Sequence, residues 1–482
     1  MSRHPSLVLI LAALFQGCSA TSESVIEDAA DALGGAEAIA AANTLVLEGT
    51  GQTYRLHQQL SPDADLPVYE LHEYRREVDL QNRRWRVDQV RTGHFISSSP
   101  VNRQPLSQAV DGGVAYDVRA DGSTTRLAAQ TGRDRHAEFY HHPLPLLKAA
   151  LEGGTTLGEL REEAGGHAVD VTPVDGPRLT LHIDEAGVPT RIESTGYNPM
   201  LGDVVIATSF SDWEESGELT LPRTISQTLD KYRNGDFTVS NEVNGDIQDL
   251  AAPDDVASAP DPVPPPTEVT SERLAAGVWY LRAGYNSTLI EFPSFGVLVE
   301  APRNDQHTLA VIETAREILG EKPLQYVINT HFHSDHSGGI RAAVAEGLTV
   351  ITHELHRAYF EEVVARPHTV IQDHLAQNPR PLSIETVSGD GPYELTEGDR
   401  TLVIHRLKNS THADGMLLVY LPRERIMIEG DPFSPGRQAP PREANLLEQV
   451  RALGLRIDRF APIHGDVATF AELVETVRAI GG

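Results

Sequence analysis

From residue 44 to about residue 250 the chain alternates apolar and polar residues in short runs, such as TLVLEGTGQTYR, YELHEYRREVDL, RWRVDQVRTG, HAVDVTP and RLTLHIDEAGVPTRIEST. Gly, Asp, Asn and Pro bound these runs. A period of two places alternate side chains on one face, so each run predicts a half-buried strand. Their succession predicts an antiparallel meander. Within it, LHIDEAGVPTRIE predicts a hairpin turning at Glu185 to Gly187. Ahead of the meander, residues 24–42 are alanine-rich with helical spacing, and Gly34 and Gly35 divide them into two short helices. Inside it, PLPLLKAALEGG predicts a helix covering part of the sheet. His136, His141 and His142, in HAEFYHHPLP, read as polar residues of a loop entering that helix, because no carboxylate is spaced to join them around an ion.

After residue 270 the texture changes. GVWYLRA, NSTLIEF and FGVLVEA are three apolar strands in hairpin succession. A helix over 306–319 and the apolar run Leu324 to Ile328 follow. LTVITHEL predicts a strand ending near His353, a packed strand-end histidine, and Met416 to Leu421 predicts another. The chain closes on an amphipathic helix, with Phe470, Leu473, Val474, Val477 and Ile480 on one face. Residues 357–385 form an irregular stretch that reads either as a loop over a site or as a surface insertion. Between the two textures, residues 251–270 hold Pro253, Pro260, Pro262, Pro264, Pro265 and Pro266 among acids and small residues. That composition predicts an extended linker. The organisation expected is a β-rich domain over 24–250, the linker, and an α/β domain over 271–482.

The chemistry concentrates where the run Leu324 to Ile328 ends. The stretch VINTHFHSDHSGG carries His331, His333, Asp335 and His336, followed by Gly338, Gly339 and a helical segment. Imidazole nitrogen and carboxylate oxygen are ligands that zinc accepts at about 2.0–2.2 Å. Three imidazoles and a carboxylate within six residues would be costly to desolvate at a strand end without a metal. On a bent loop His331 and His333 face one ion, and Asp335 and His336 a second. Phe332 between them reads as core. Three further polar residues stand at strand ends: His412 before Met416, Asp431 after RIMIEG, and His464 after RFAPI.

The order HxHxDH, then His, Asp and His resembles the metallo-β-lactamase-fold hydrolases, and THADGMLLVYLPRERIMIEGD looks like that superfamily's later motifs. The resemblance covers about residues 272–482. It implies an α/β fold, a four-layer αββα sandwich at the C-terminus. It also implies two Zn2+ ions: one on His331, His333 and His412, a second on Asp335, His336 and His464, with Asp431 bridging. In the best-known dedicated β-lactamases a cysteine stands where Asp431 stands here, which favours the broader hydrolase branch. The N-terminal antiparallel β-rich (α+β) part resembles the half-barrel folds of periplasmic lipoprotein carriers.

Lys and Arg total 40 against 69 Asp and Glu, a formal net charge of −29. So acidic a chain repels phosphate backbones, which argues against nucleic acid and for a small-molecule substrate. Residues 1–20 carry Arg3, an apolar core from Leu7 to Phe15 and a small polar end, the pattern of a secretory signal. Cys18, the single cysteine, either marks a lipoprotein cleavage site and anchors the chain to a membrane, or is removed by a cut after Ala20. The function expected is a secreted or periplasmic hydrolase. Metal binding lowers the pKa of water from about 15.7 to about 7 and supplies hydroxide at neutral pH. Asp335 handles the proton, and the bond cleaved is an ester, lactone, thioester or amide. Two alternatives stay open: an iron-dependent sulfur dioxygenase on the same fold, separable by metal analysis, and a non-catalytic lipid- or partner-binding lipoprotein, separable by an Asp335→Ala variant.

Overall fold

The computed structural model describes residues 20–94, 101–389, 391–436 and 440–481. The apolar leader and Cys18 lie outside them. Helices Ser22–Ala32 and Ala36–Ala41 flank the glycine pair as expected. A thirteen-stranded, wholly antiparallel sheet follows. The chain meanders outward from Thr44–Tyr54 through six strands to one edge. It crosses by helices Ala129–Phe139 and Pro143–Leu151 to the opposite edge, and meanders back until Tyr232–Val243 pairs with Thr44–Tyr54. The returning half includes the hairpin of Leu179–Asp184 and Pro189–Asn198.

One face of this sheet is dry. Leu45, Leu47, Val169, Leu181, Ile192, Phe210, Leu221 and Ile225 pack there against Ile26, Phe139, Leu144 and Leu147 of the helices. Two strands are absent from the alternating pattern, Val101–Asp111 and Thr156–Glu163. Pro105 interrupts the first, and the second is an edge strand whose residues are exposed or only half-buried. The histidines before Pro143 are not polar loop residues. His136 lies within the first crossing helix. His141 is buried between Thr208 Oγ1 (2.9 Å) and Ser194 Oγ (2.8 Å), and His142 Nδ1 accepts the Leu144 amide at the start of the second.

The stretch read as a linker begins with structure of its own. Asp254–Ser258 is a short helix, and Val256 packs on Ala109 and Tyr116 of the sheet. Residues 260–266 are exposed, and a strand starts at Thr270.

The C-terminal part is two sheets face to face. The first runs Thr270–Ala275, Val278–Arg282, Ser287–Glu291, Gly296–Val299, Leu324–Ile328, Thr349–His353 and Ile384–Val387. It is antiparallel up to Gly296–Val299 and parallel from there on. The second runs Tyr393–Glu397, Arg400–Arg406, Leu417–Leu421, Ile426–Glu429, Arg459–Pro462 and Ala468–Thr469. Val278, Tyr280, Val297, Val299 and Ile328 meet Leu402, Ile404, Leu417, Val419 and Ile428 between the sheets. Residues one place along, Leu281, Leu298 and Val327, face outward onto helices Asp305–Leu319 and Ile340–Ala345. Leu418, Tyr420 and Met427 face outward onto helices Pro440–Ala452 and Phe470–Gly481. Both faces of each sheet are covered, so these strands read as continuous apolar runs. The result is the four-layer αββα sandwich that the resemblance implied. The outer core also takes in Met200 and Leu201, in the turn after strand Pro189–Asn198, and Val204 of the next strand, so the two parts share one apolar seam.

Candidate metal centre

Strand Leu324–Ile328 lies parallel between two neighbours, and its C-terminal end opens at the rim of the sandwich. Ile426–Glu429 and Arg459–Pro462 run parallel to each other, so both point Asp431 and His464 past the same end. Leu417–Leu421 is antiparallel to Ile426–Glu429, which returns the loop before it, with His412, to that end. There the Leu417 amide donates to the Thr330 carbonyl (2.9 Å) and ties the two sheets together. Four loops remote in sequence thus converge because of strand direction alone.

The first loop is rigidly built. Asn329 N donates to Ile351 O (2.9 Å), and His333 caps the helical turn Ser334–Ser337 that carries Asp335 and His336. Ser337 Oγ donates back to the carbonyls of Phe332 (2.8 Å) and His333 (3.0 Å). Phe332 is fully buried against Tyr359 and His356, as core. Gly339 leaves no room for a side chain, since a Cβ there would meet Thr308 Oγ1 at 2.0 Å. The His464 loop is pinned by Asn286 Nδ2 and the Tyr280 hydroxyl, which donate to Gly465 O at 2.9 and 2.8 Å. The His412 loop is held by His356, whose Nε2 donates to Asp414 O (2.8 Å). His353 stands apart, its Nδ1 accepting the Leu355 amide, a packed strand-end histidine.

All seven residues singled out in the sequence meet. They form two groups, His331, His333, His412 and Asp431, and Asp335, His336, Asp431 and His464, with ligand atoms within 4.8 Å of one another in each. Asp431 belongs to both. Its Oδ2 is 2.5 Å from His412 Nε2, and its Oδ1 is 3.1 Å from His336 Nε2 and 3.0 Å from His464 Nε2. Asp335 Oδ2 is 3.6 Å from His336 Nε2 and 3.4 Å from His464 Nε2, and the two imidazole nitrogens are 3.3 Å apart. Four ligand atoms at zinc distance on a tetrahedron lie about 3.3 Å apart. The second group has that spacing.

Hydrogen bonds fix which nitrogen faces inward. The Thr330 hydroxyl donates its only proton to Glu300 Oε1, so Thr330 Oγ1 accepts from His331 Nδ1 (3.1 Å). His331 Nε2 is left with a lone pair and no partner. A carbonyl only accepts, so His333 Nε2 donates to Gln59 O (2.8 Å), and His333 Nδ1 is the free, buried atom. Such partners orient the imidazoles of metal sites. Burial, with the neighbouring histidines, holds His331 well below the usual histidine range, and burial pushes His333 down to about 3. Both are neutral, the form a metal binds. In the second group burial opposes charge on His336, yet the Asp431 and Asp335 carboxylates outweigh it and raise His336 well above its ordinary value. The surroundings demand positive charge there, and a divalent cation satisfies that demand. Orphaned buried nitrogens, donor types and spacing all fit metal ions.

Four contributors escaped the sequence reading. Glu300, fully buried in the left-handed region (φ 78°), accepts from Asn329 Nδ2 (3.2 Å) and stands 3.6 Å from His336 Nδ1. A buried acid ending the apolar run FGVLVE was its one visible signal. Arg442 Nη1 lies 3.5 Å from Asp431 Oδ2. Gln58 and Gln59 come from the loop that follows strand Thr44–Tyr54 of the N-terminal sheet, and nothing in their local sequence marks them. Residues 357–385 do not overhang the site. Arg366 and Thr369 bind Asp230 and Asp203 of the N-terminal sheet, and only Tyr359 reaches toward the centre, through His57.

A sandwich of two sheets with a shared-carboxylate His/Asp cluster at its rim defines a class of metal-site α/β proteins. Residues 282–469 match the family model of the metallo-beta-lactamase superfamily. No curated protein matches the chain. Among solved structures, a metallo-beta-lactamase from Pontibacter korlensis is similar over 45% of this chain and 100% of its own, at 16% identity and a TM-score of 0.34. The metallo-beta-lactamase FIM-1 from Pseudomonas aeruginosa, in a mono-zinc form, is similar over 45% and 97%, at 20% identity and a TM-score of 0.35. A metallo beta lactamase from Hirschia baltica is similar over 44% and 97%, at 21% identity and a TM-score of 0.34.

Proposed function

We propose that the chain is an exported binuclear zinc hydrolase that cleaves an ester, lactone, thioester or amide bond in a small molecule. The observation that carries this reading is Asp431, which faces two adjoining ligand groups with its two oxygens. His331, His333 and His412 would hold one ion, and Asp335, His336 and His464 the other. The ions, when bound, supply hydroxide at neutral pH and polarise the scissile carbonyl. The chain's own residues do the rest. The Thr330 and Gln59 hydrogen bonds keep two imidazoles in the ligating tautomer. Asp335 is the most open of the cluster's carboxylates, its side chain 28% exposed against 8% for Asp431, so it meets entering substrate and takes up the proton. The apolar leader Leu7 to Phe15 supports export, and Cys18 offers a lipid-anchoring point.

The test is a metal count on purified mature protein, followed by a panel of chromogenic ester, lactone, β-lactam and phosphodiester substrates. About two zinc ions per chain and acyl-bond turnover lost in Asp335→Ala are expected. A single iron with oxygen uptake on a persulfide, or full turnover in Asp335→Ala, would overturn the reading.

A further inference from the structure

Residues 55–67 join Thr44–Tyr54 to Val68–Asp79 in the N-terminal sheet, yet the first part of this loop leaves that sheet and enters the rim of the C-terminal sandwich. Gln58 Nε2 donates to Asp335 Oδ1 at 3.0 Å. The Gln59 carbonyl accepts His333 Nε2–H at 2.8 Å. The loop grips the same surroundings through its backbone: Ser334 N donates to His57 O (3.4 Å), and Asp414 N, two residues beyond His412, donates to Leu60 O (2.7 Å). His57 is held in the left-handed region (φ 63°), buried, with its Nδ1 2.9 Å from the Tyr359 hydroxyl. Gln59 is buried too, and folds the loop on itself: its Oε1 accepts Gln58 N (2.9 Å) and its Nε2 donates to Pro62 O (3.3 Å). A non-glycine residue with positive φ persists only where its surroundings hold it. Here they are supplied by the other half of the chain.

The contacts divide the labour at two side chains. Asp335 has one oxygen on Gln58 and the other on the His336 and His464 side. His333 has one nitrogen on Gln59 and the other facing His331 and His412. In each case the loop occupies the atom that does not face the cluster and so aims the one that does. Resting on the metal reading above, we propose that residues 57–60 are a built-in part of the metal centre, with Gln58 the positioning residue for Asp335. The N-terminal sheet is then a support of the catalytic site. Outer partners of this kind are worth about 10–100-fold in metal affinity.

Cobalt(II) titration of the metal-free full-length protein tests this without using turnover, because visible absorption of bound cobalt reports coordination directly. Wild type is expected to fill two sites. Gln58→Leu, close to isosteric but without a donor, is expected to fill one site unchanged and to bind at the other about 10–100-fold more weakly with an altered spectrum. Gln58→Glu, which sets a carboxylate against Asp335, is expected to weaken it at least as much. Thermal unfolding in chelator guards against a general folding defect: both variants should match wild type there, and a metal-free melting point lowered in both would assign Gln58 to stability and overturn the proposal. Wild type filling two sites while both variants match its affinities and spectrum would overturn the loop's role alone. Wild type binding no cobalt would overturn this proposal together with the metal reading beneath it.

Discussion

Thr330 shows how one hydroxyl decides which atom of a ligand is available. Its proton goes to Glu300, so it can only accept from His331, and His331 Nε2 is thereby the nitrogen left with a free lone pair. Thr330→Val keeps the shape and removes that acceptor. Metal affinity at the His331 group is expected to fall about 10–100-fold, measured by competition with a chromogenic chelator. Unchanged affinity would show that the tautomer is set elsewhere. Gly430 stands beside the same hydroxyl: a Cβ there would lie 2.6 Å from Thr330 Oγ1, so this position admits no side chain without moving Thr330. Asp170 is the corresponding buried charge far from the centre. It accepts from Arg161 Nη1 and Nη2 (2.9 Å each), from Thr180 Oγ1 (2.7 Å) and from Arg178. Arg161 leads in holding its carboxyl well below the usual carboxylate range. A folded-state value below the unfolded one means the stabilisation is complete above the unfolded pKa of about 3.9 and is lost as pH falls through the folded value. Asp170→Asn is therefore expected to cost about 1.5–3 kcal/mol at pH 7, the scale for hydrogen bonds to a charged group. The difference in melting temperature from wild type should close as pH drops below about 4. A difference that persists undiminished at pH 2 would assign the effect to shape instead of charge.

At the scale of elements, period was a good guide and end-to-end placement was not. The hairpin at Glu185 to Gly187, the paired short helices about Gly34 and Gly35, and the buried run Leu324 to Ile328 all stand where alternation or continuity put them. Val101–Asp111 was illegible because Pro105 and polar residues break its rhythm, and Thr156–Glu163 because an edge strand has little to bury. His331, His333, Asp335 and His336 were legible because their chemistry is compressed into six residues. His412, Asp431 and His464 were legible singly, as polar residues at strand ends, but their union at one site was legible only through a resemblance, since what unites them is the pairing of Ile426–Glu429 with Leu417–Leu421 and with Arg459–Pro462. Gln58 was not legible at all. Its partner lies 277 residues away, and a glutamine in an aperiodic loop carries no local mark of a long-range contact.

The whole molecule is held together less by its linker than by what lies across the seam. Met200, Leu201 and Val204 enter the helix layer of the sandwich. Arg366 donates to Leu201 O, to Asp203 O (2.7 Å) and to Asp230, while Asp203 receives the Thr369 amide and hydroxyl. The loop 57–60 plugs the rim a second time, at the cluster itself. None of these contacts involves residues 260–266, which are exposed throughout. Apolar burial backed by paired polar groups is how lasting interfaces are made, whereas a covalent tether adds effective concentration alone. It follows that a protease site placed between Pro262 and Pro264 should be cuttable in the folded protein without separating the halves. The nicked chain is expected to elute from a sizing column as one species and to bind metal as the uncut chain does. Two separately eluting fragments, or loss of metal on cutting, would mean that the seam is too weak to hold the loop 57–60 at the cluster by itself, and that the proline-rich segment carries mechanical weight the contacts do not.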